Sequence, residues 1–333
     1  MKNIKSFFSV CLTVIFLCSG ACHKQVGNLT SELASGKNTV IEPKIPQRSV
    51  ECPVFEPGYI FFKSGEATFK VKVLMSDGGQ EDKNSEGKSL ILYWHGTGES
   101  GDYVIDTDKL ENSKEVSIGD GKHLGAFSDE LISEMTEDGN IVLAPFNEPT
   151  LGEVEGKNIS GSNVWREGHL ELADVIVACA VESGLVDPER IYITGLSAGG
   201  LMATHMTWSR ADYIAASGVF SGGFIEGLFS PFFEQPKSPG DGILVNTVLF
   251  HGGDDDVEFV DFKENSENYI VASAALPGDR WICDHEGGHR QFAEDSGAFL
   301  RLGDISWGYF QTMKYGDNPD ATNVLPDYCL RGD

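Results

Sequence analysis

The stretch "ERIYITGLSAGG", Glu189 to Gly200, begins as an unbroken apolar run and ends in Gly-x-Ser-x-Gly-Gly. A run without polar alternation predicts a strand buried on both faces, as in a parallel sheet. The residues that follow, "AGGLMATHMTWSRA" (Ala198–Ala211), open a helix directly from that strand. Ser197 therefore falls on a strand-to-helix turn so sharp that side chains at Gly195, Gly199 and Gly200 would collide with neighbouring backbone. Such a turn lifts a serine hydroxyl clear of the sheet. It also aims the Ala198 N–H and the helix N-terminus at any oxyanion that forms beside it. Ser197 is the candidate nucleophile.

Working outward, apolar runs and helical stretches alternate. "TFKVKVLM" (Thr68–Met75) alternates as a half-exposed strand should, and "SLILYWHG" (Ser89–Gly96) is a buried strand. "HLGAFSDELISEMTEDG" (His123–Gly139) has helical spacing, "NIVLAPF" (Asn140–Phe146) is again a buried strand, and "EGHLELADVIVACAVESG" (Glu167–Gly184) reads as an amphipathic helix. Beyond the serine, "YIAASGVFSGG" and "GILVNTVLFHGG" are strands and "VDFKENSENYIVASAA" is a helix. "RWIC" (Arg280–Cys283) is a short strand, and "DISWGYFQTMKYG" (Asp304–Gly316) closes the chain as a helix. Strand alternating with helix implies an α/β fold with a mostly parallel sheet covered on both faces. Such sheets carry their sites in loops at the C-terminal ends of strands.

Three more of those ends hold chemistry. After the first buried strand comes His95-Gly96-Thr97-Gly98, where a second oxyanion donor belongs, a backbone N–H at Thr97 or Gly98; His95 is expected to brace that loop. After His251 comes Gly252-Gly253-Asp254-Asp255-Asp256. A serine hydrolase needs a carboxylate there to orient its histidine. Asp256 is favoured because Val257 to Phe262 then lead straight into the next helix, with Asp255 close behind. The last is "HEGGH", His285 to His289, which also fits the zinc-protease pattern H-E-x-x-H. A zinc site needs both histidines on one helix face, and Gly287 and Gly288 would cost that helix roughly 1 kcal/mol each. The preceding "RWIC" has strand character and leaves no room for the helix to start, and no well-placed third ligand follows, since Glu294 and Asp295 are too close and Asp304 stands alone. A metal is therefore not expected, and one of the two histidines becomes a general base. The order Ser, Asp, His along the chain is that of the α/β-hydrolase fold.

The segments "YWHGTGES", "WREGHLELADVIVACAVESGLVDPERIYITGLSAGG", "FHGGDDD" and "CDHEGGH" resemble the secreted esterases of the polyhydroxybutyrate-depolymerase and feruloyl or acetylxylan esterase group, over roughly Leu90 to His289. That resemblance implies a serine esterase of α/β-hydrolase fold without a cofactor. It places the base at the end of the Gly-Gly-His loop, on His289, leaves His285 a supporting role, and puts Trp165 at a position where the group tends to keep a tryptophan. The departures are the aspartate triplet, where the group shows one clear aspartate, and the lack of the usual proline after it. "VFSGGFIEGLFSPFFEQP" (Val219–Pro236) carries five phenylalanines, read as an apolar lip over a pocket or as a loop packed on the core. Two alternatives of other classes are a serine peptidase of the prolyl-oligopeptidase type and a noncatalytic surface lipoprotein that keeps the fold.

Composition bounds the partners and the compartment. With 25 basic and 51 acidic residues the formal charge is −26, so nucleic acid and anionic membrane surfaces are poor partners. The expected partner is an ester, small or polymeric, and the chain is expected to act as a monomer. Lys2 and Lys5 precede the apolar run Phe7–Ala21, which reads as a signal peptide over 1–21 with cleavage before Cys22, a candidate lipid anchor. Residues 22–50 read as a polar tether, and 51–333 as the α/β-hydrolase domain. Without Cys11, Cys18 and Cys22, four cysteines remain: Cys52, Cys179, Cys283 and Cys329. In an exported protein they predict two disulfides, with all three pairings open.

Overall fold

Gly58–Ser64 (β1) and Ala67–Leu74 (β2) form an antiparallel hairpin, and β2 continues antiparallel onto Ile141–Pro145 (β4). From there Leu90–Trp94 (β3), Ile191–Leu196 (β5), Ala216–Phe220 (β6), Thr247–His251 (β7) and Arg280–Asp284 (β8) run parallel. The short Cys329–Arg331 (β9) returns antiparallel on β8, giving one sheet in the order β1-β2-β4-β3-β5-β6-β7-β8-β9. These observations come from a computed structural model that describes residues 41–76, 87–97, 127–153, 165–225, 243–289, 298–317 and 321–332. Residues Ile41–Asp333 form one compact unit. The expected signal peptide, Cys22 and the tether up to residue 40 lie outside the described residues.

The continuous apolar runs are explained by two cores, one on each face of the sheet. Leu90, Leu92, Trp94, Ile191 and Ile193 point into the first, with residues of Gly168–Glu182 (α2), Ala198–Ser209 (α3) and Phe262–Ser273 (α4). Ile91, Tyr93, Tyr192, Val248 and Phe250 point into the second, with residues of Asp129–Glu137 (α1) and Ala298–Thr312 (α5). Alternate residues of each strand thus serve opposite faces, and neither face can be polar. With helices on both sides and the crossovers in this order, the molecule has the α/β-hydrolase fold.

Helix starts follow their local chemistry. Ser128 caps α1 by accepting from the Leu131 N–H at 3.1 Å, and Asp261 caps α4 by accepting from the Glu264 N–H at 2.9 Å. Two disulfides form, Cys52–Cys179 and Cys283–Cys329. They close sequence separations of 127 and 46 residues, which in the chain-entropy picture stabilise by about 4 kcal/mol or more each.

The structure corrects several expectations. The chain does not close as a helix: a 3₁₀ turn at Ala321–Asn323 and β9 follow α5. α2 is not amphipathic, since ten of its fifteen residues are buried. The last ten residues of the expected tether lie against the domain: the Lys44 N–H donates to the Asp212 carbonyl, Arg48 pairs with Glu182 at 2.8 Å, and Ile45 and Val50 pack on the core. Of the five phenylalanines read as a lip or as a loop packed on the core, Phe220 and Phe224 are core residues, as the second reading has it; the other three lie outside the described residues.

Candidate active site

Ser197 caps α3 with φ 55° and ψ −117°, a left-handed conformation rare outside glycine. Its neighbours show why the turn needs glycines. A Cβ on Gly195 would run into the Gly199 and Trp94 carbonyls, and one on Gly199 into the Trp94 and His95 carbonyls. The strand ends and the first turn of α3 are therefore in backbone-to-backbone contact. The Ser197 N–H donates to the Phe220 carbonyl at 3.0 Å, which ties the turn to the end of β6. Strain of this kind persists only where the surroundings over-determine it.

The imidazole of His289 lies beside that hydroxyl. Its Nε2 is 3.1 Å from Ser197 Oγ and its Nδ1 is 2.7 Å from Asp256 Oδ1. An ionised carboxylate only accepts, so Nδ1 carries the proton and Nε2 is free to take one from the serine. The ring stacks on Phe262, the first residue of α4, with centroids 4.6 Å apart and planes inclined by 18°. His289 keeps 20% of its side-chain surface exposed while Asp256 has none.

Asp256 is drawn inward by the 3₁₀ turn Gly253–Asp255 that follows β7. Its Oδ2 accepts from the Gly252 N–H at 3.0 Å and from Ser221 Oγ at 2.9 Å, and its carbonyl accepts from the Phe262 N–H. The carboxylate is thus held by three donors, as a buried charge must be. Asp255 is exposed and is not part of this group, and exposed Asp254 pairs with Lys263 at 2.6 Å. Proximity to Lys263 lowers the Asp254 pKa.

Ala198 is the first residue of α3, where N–H groups lack an intrahelical acceptor. Thr97 is exposed just past β3, and Gly98 lies outside the described residues. His95 does brace this loop: its Nδ1–H donates to the Gly96 carbonyl at 2.9 Å, and its own carbonyl accepts from Trp165 Nε1 at 2.8 Å. Trp165 packs edge-on to Trp94 and His169 and against the His95 ring. Burial lowers the His95 pKa to about 4, keeping it neutral.

His285 and His289 share no helix face. His285 follows β8, with bends at Glu286 and Gly287 before the turn that carries His289. His285 accepts from the Gly287 N–H at 3.2 Å, and burial lowers its pKa. Both nitrogens of His289 are engaged by Ser197 and Asp256, and among the described residues no group of three His, Cys, Asp or Glu is arranged to hold a metal ion. Two contributors, Phe262 and Ser221, escaped the sequence reading. The only sequence signal was their place, at the foot of a predicted helix and just after a predicted strand.

No family model matches the chain, and no curated protein matches it by sequence. Solved structures do. One described as pOPH, native, aligns over 85% of this chain and 97% of its own at 16% identity, with a TM-score of 0.58. Native sOPH aligns over 86% and 97% at 16% identity, with a TM-score of 0.55. A CE1 ferulic acid esterase from Anaeromyces mucronatus, solved with ferulic acid, aligns over 80% and 93% at 14% identity and a TM-score of 0.47. The likeness to pOPH and sOPH is one of fold.

Proposed function

We propose that the chain is a serine hydrolase of carboxylic esters, working by acyl transfer. The observation that carries this reading is the line of contacts from Ser197 Oγ through the His289 ring to Asp256, at 3.1 and 2.7 Å. In this reading His289 takes the serine proton as the hydroxyl attacks an ester carbonyl, and Asp256 stabilises the imidazolium that results. The oxyanion is held by the Ala198 N–H and by a backbone N–H of Thr97 or Gly98. His289 then returns its proton to the departing alcohol, and a water deprotonated by the same ring releases the acid.

Hydroxyalkanoate oligomers and feruloyl or acetyl esters of plant polysaccharides are the proposed substrates, on the strength of the motif resemblance. Export is proposed from the charged and apolar N-terminus, and two disulfides are compatible with an extracellular protein.

The test is a panel of p-nitrophenyl esters, methyl ferulate, acetylated xylan, hydroxybutyrate oligomers and short peptides, run on the purified protein and on Ser197→Ala. Ester turnover that the variant lowers by about 10³-fold or more supports the proposal. Ester turnover undiminished in Ser197→Ala, or peptide cleavage without ester cleavage, rejects it.

A further inference from the structure

The segment after β6 is more tightly specified than a loop requires. Ser221 is buried, and its φ of 46° is left-handed, a conformation that glycine adopts freely and serine does not. Two glycines follow at once, so a glycine at this point would suit the turn. What serine adds is its hydroxyl, donated to Asp256 Oδ2 at 2.9 Å.

The backbone around it reaches three elements. The preceding Phe220 carbonyl accepts from the Ser197 N–H, and the Ser221 N–H donates to the Phe250 carbonyl on β7. Further on, the Gly223 N–H donates to Thr204 Oγ1 on α3 at 3.0 Å, and the Phe224 N–H donates to the Asn265 carbonyl on α4. A Cβ on Gly200 would meet the Phe220 and Ser221 carbonyls, and one on Gly223 the Asn265 carbonyl, so the segment has no room to shift. Two adjacent residues thus hold the turn that carries Ser197 on one side and the carboxylate of Asp256 on the other.

We propose that Ser221 is a positioning residue: its hydroxyl fixes the Asp256 carboxylate, and through it His289, relative to Ser197. The left-handed backbone is tolerated for that hydroxyl. This inference rests on the proposed hydrolase reading. It adds a residue 35 positions before Asp256 that acts through the carboxylate and touches no substrate.

Ser221→Ala and Ser221→Gly separate hydroxyl from backbone. Both remove the donor; only glycine relieves the conformation. On the ester that the wild type turns over best, kcat is expected to fall about tenfold in both variants, with KM changed less than about twofold. The melting temperature is expected to separate them, glycine above alanine by about 2 °C. A purely structural role would make activity follow stability, with glycine the more active variant, and that result overturns the proposal, as does wild-type kcat in Ser221→Gly. Should the wild type turn over no ester, the test needs no substrate. The downfield proton resonance of the His289 Nδ1–H donated to Asp256 is expected in the wild type and is weakened or displaced in both variants. Its persistence unchanged in both overturns the inference, whatever the fate of the esterase reading.

Discussion

Asp256 and Asp255 differ by one position and by their access to water. The 3₁₀ turn after β7 leaves Asp254 and Asp255 exposed and turns Asp256 inward, where His289, Ser221 and the Gly252 N–H meet it. Removing the charge at position 256 therefore removes what keeps the His289 proton on Nδ1, and Asp256→Asn is expected to lower kcat by about 10⁴-fold. Asp255→Asn is expected to stay within about twofold of wild type, since exposed surface positions seldom matter. Equal losses in the two variants, measured by steady-state kinetics, would put the acid elsewhere. From sequence Asp256 was preferred, with Asp255 close behind and the triplet still open, because the direction each carboxylate faces is set by the turn. Ser221 was less legible still. "Ser-Gly-Gly" reads as an ordinary turn, and its partner stands 35 residues away.

At the scale of elements, the sequence spoke clearly wherever burial was two-sided. β3 to β7 were visible because both faces of the sheet are covered there, which favours largely apolar runs. β1 was not, because its outward face carries exposed Tyr59 and Phe61, and aromatic residues on the wet face hide the two-residue alternation. β9 is three residues long, too short for any pattern. α2 was recognised as a helix, yet its burial on nearly all sides contradicts the amphipathic expectation. The junction of β5 and α3 makes the sharpest demand on sequence. A methyl group at Gly199 would press on the Trp94 and His95 carbonyls, which cannot move without pulling β3. Gly199→Ala is expected to destabilise by about 3 kcal/mol and to misplace both Ser197 and the His95–Gly96 loop. A thermal melt and the ester rate should fall together; a variant with both unchanged would show that the turn has slack.

For the molecule as a whole, acid sensitivity is built into the interior. Burial lowers the pKa of His95 and His169 to about 4 and that of His205 to about 3. His169 is fixed as a neutral ring, accepting from the Arg166 N–H on Nδ1 and donating from Nε2 to the Asn147 carbonyl. Unfolded, these rings titrate near 6.5. Above that pH neither state binds the protons, and the stability is fully present. As the pH falls from 6.5 towards 4 the unfolded chain takes up protons that the folded one excludes, so each histidine withdraws up to about 3 kcal/mol. Urea unfolding between pH 7 and 4 should show that decline, and a flat stability over this window would contradict it. The pairing of the four cysteines belongs to this scale as well. It is set by which segments the fold brings together, among them the stretch before β1 that carries Cys52, so spacing alone left it open.

The account depends on Ser197 being the one hydroxyl made reactive by His289 and Asp256. Its most direct test is to treat the purified protein with a fluorophosphonate and map the adduct by mass spectrometry. The expected result is one phosphonyl group per chain on the peptide that contains Ser197, absent in Ser197→Ala and formed far more slowly in Asp256→Asn. An unlabelled Ser197, or an adduct formed as fast when Asp256 is replaced, would contradict it.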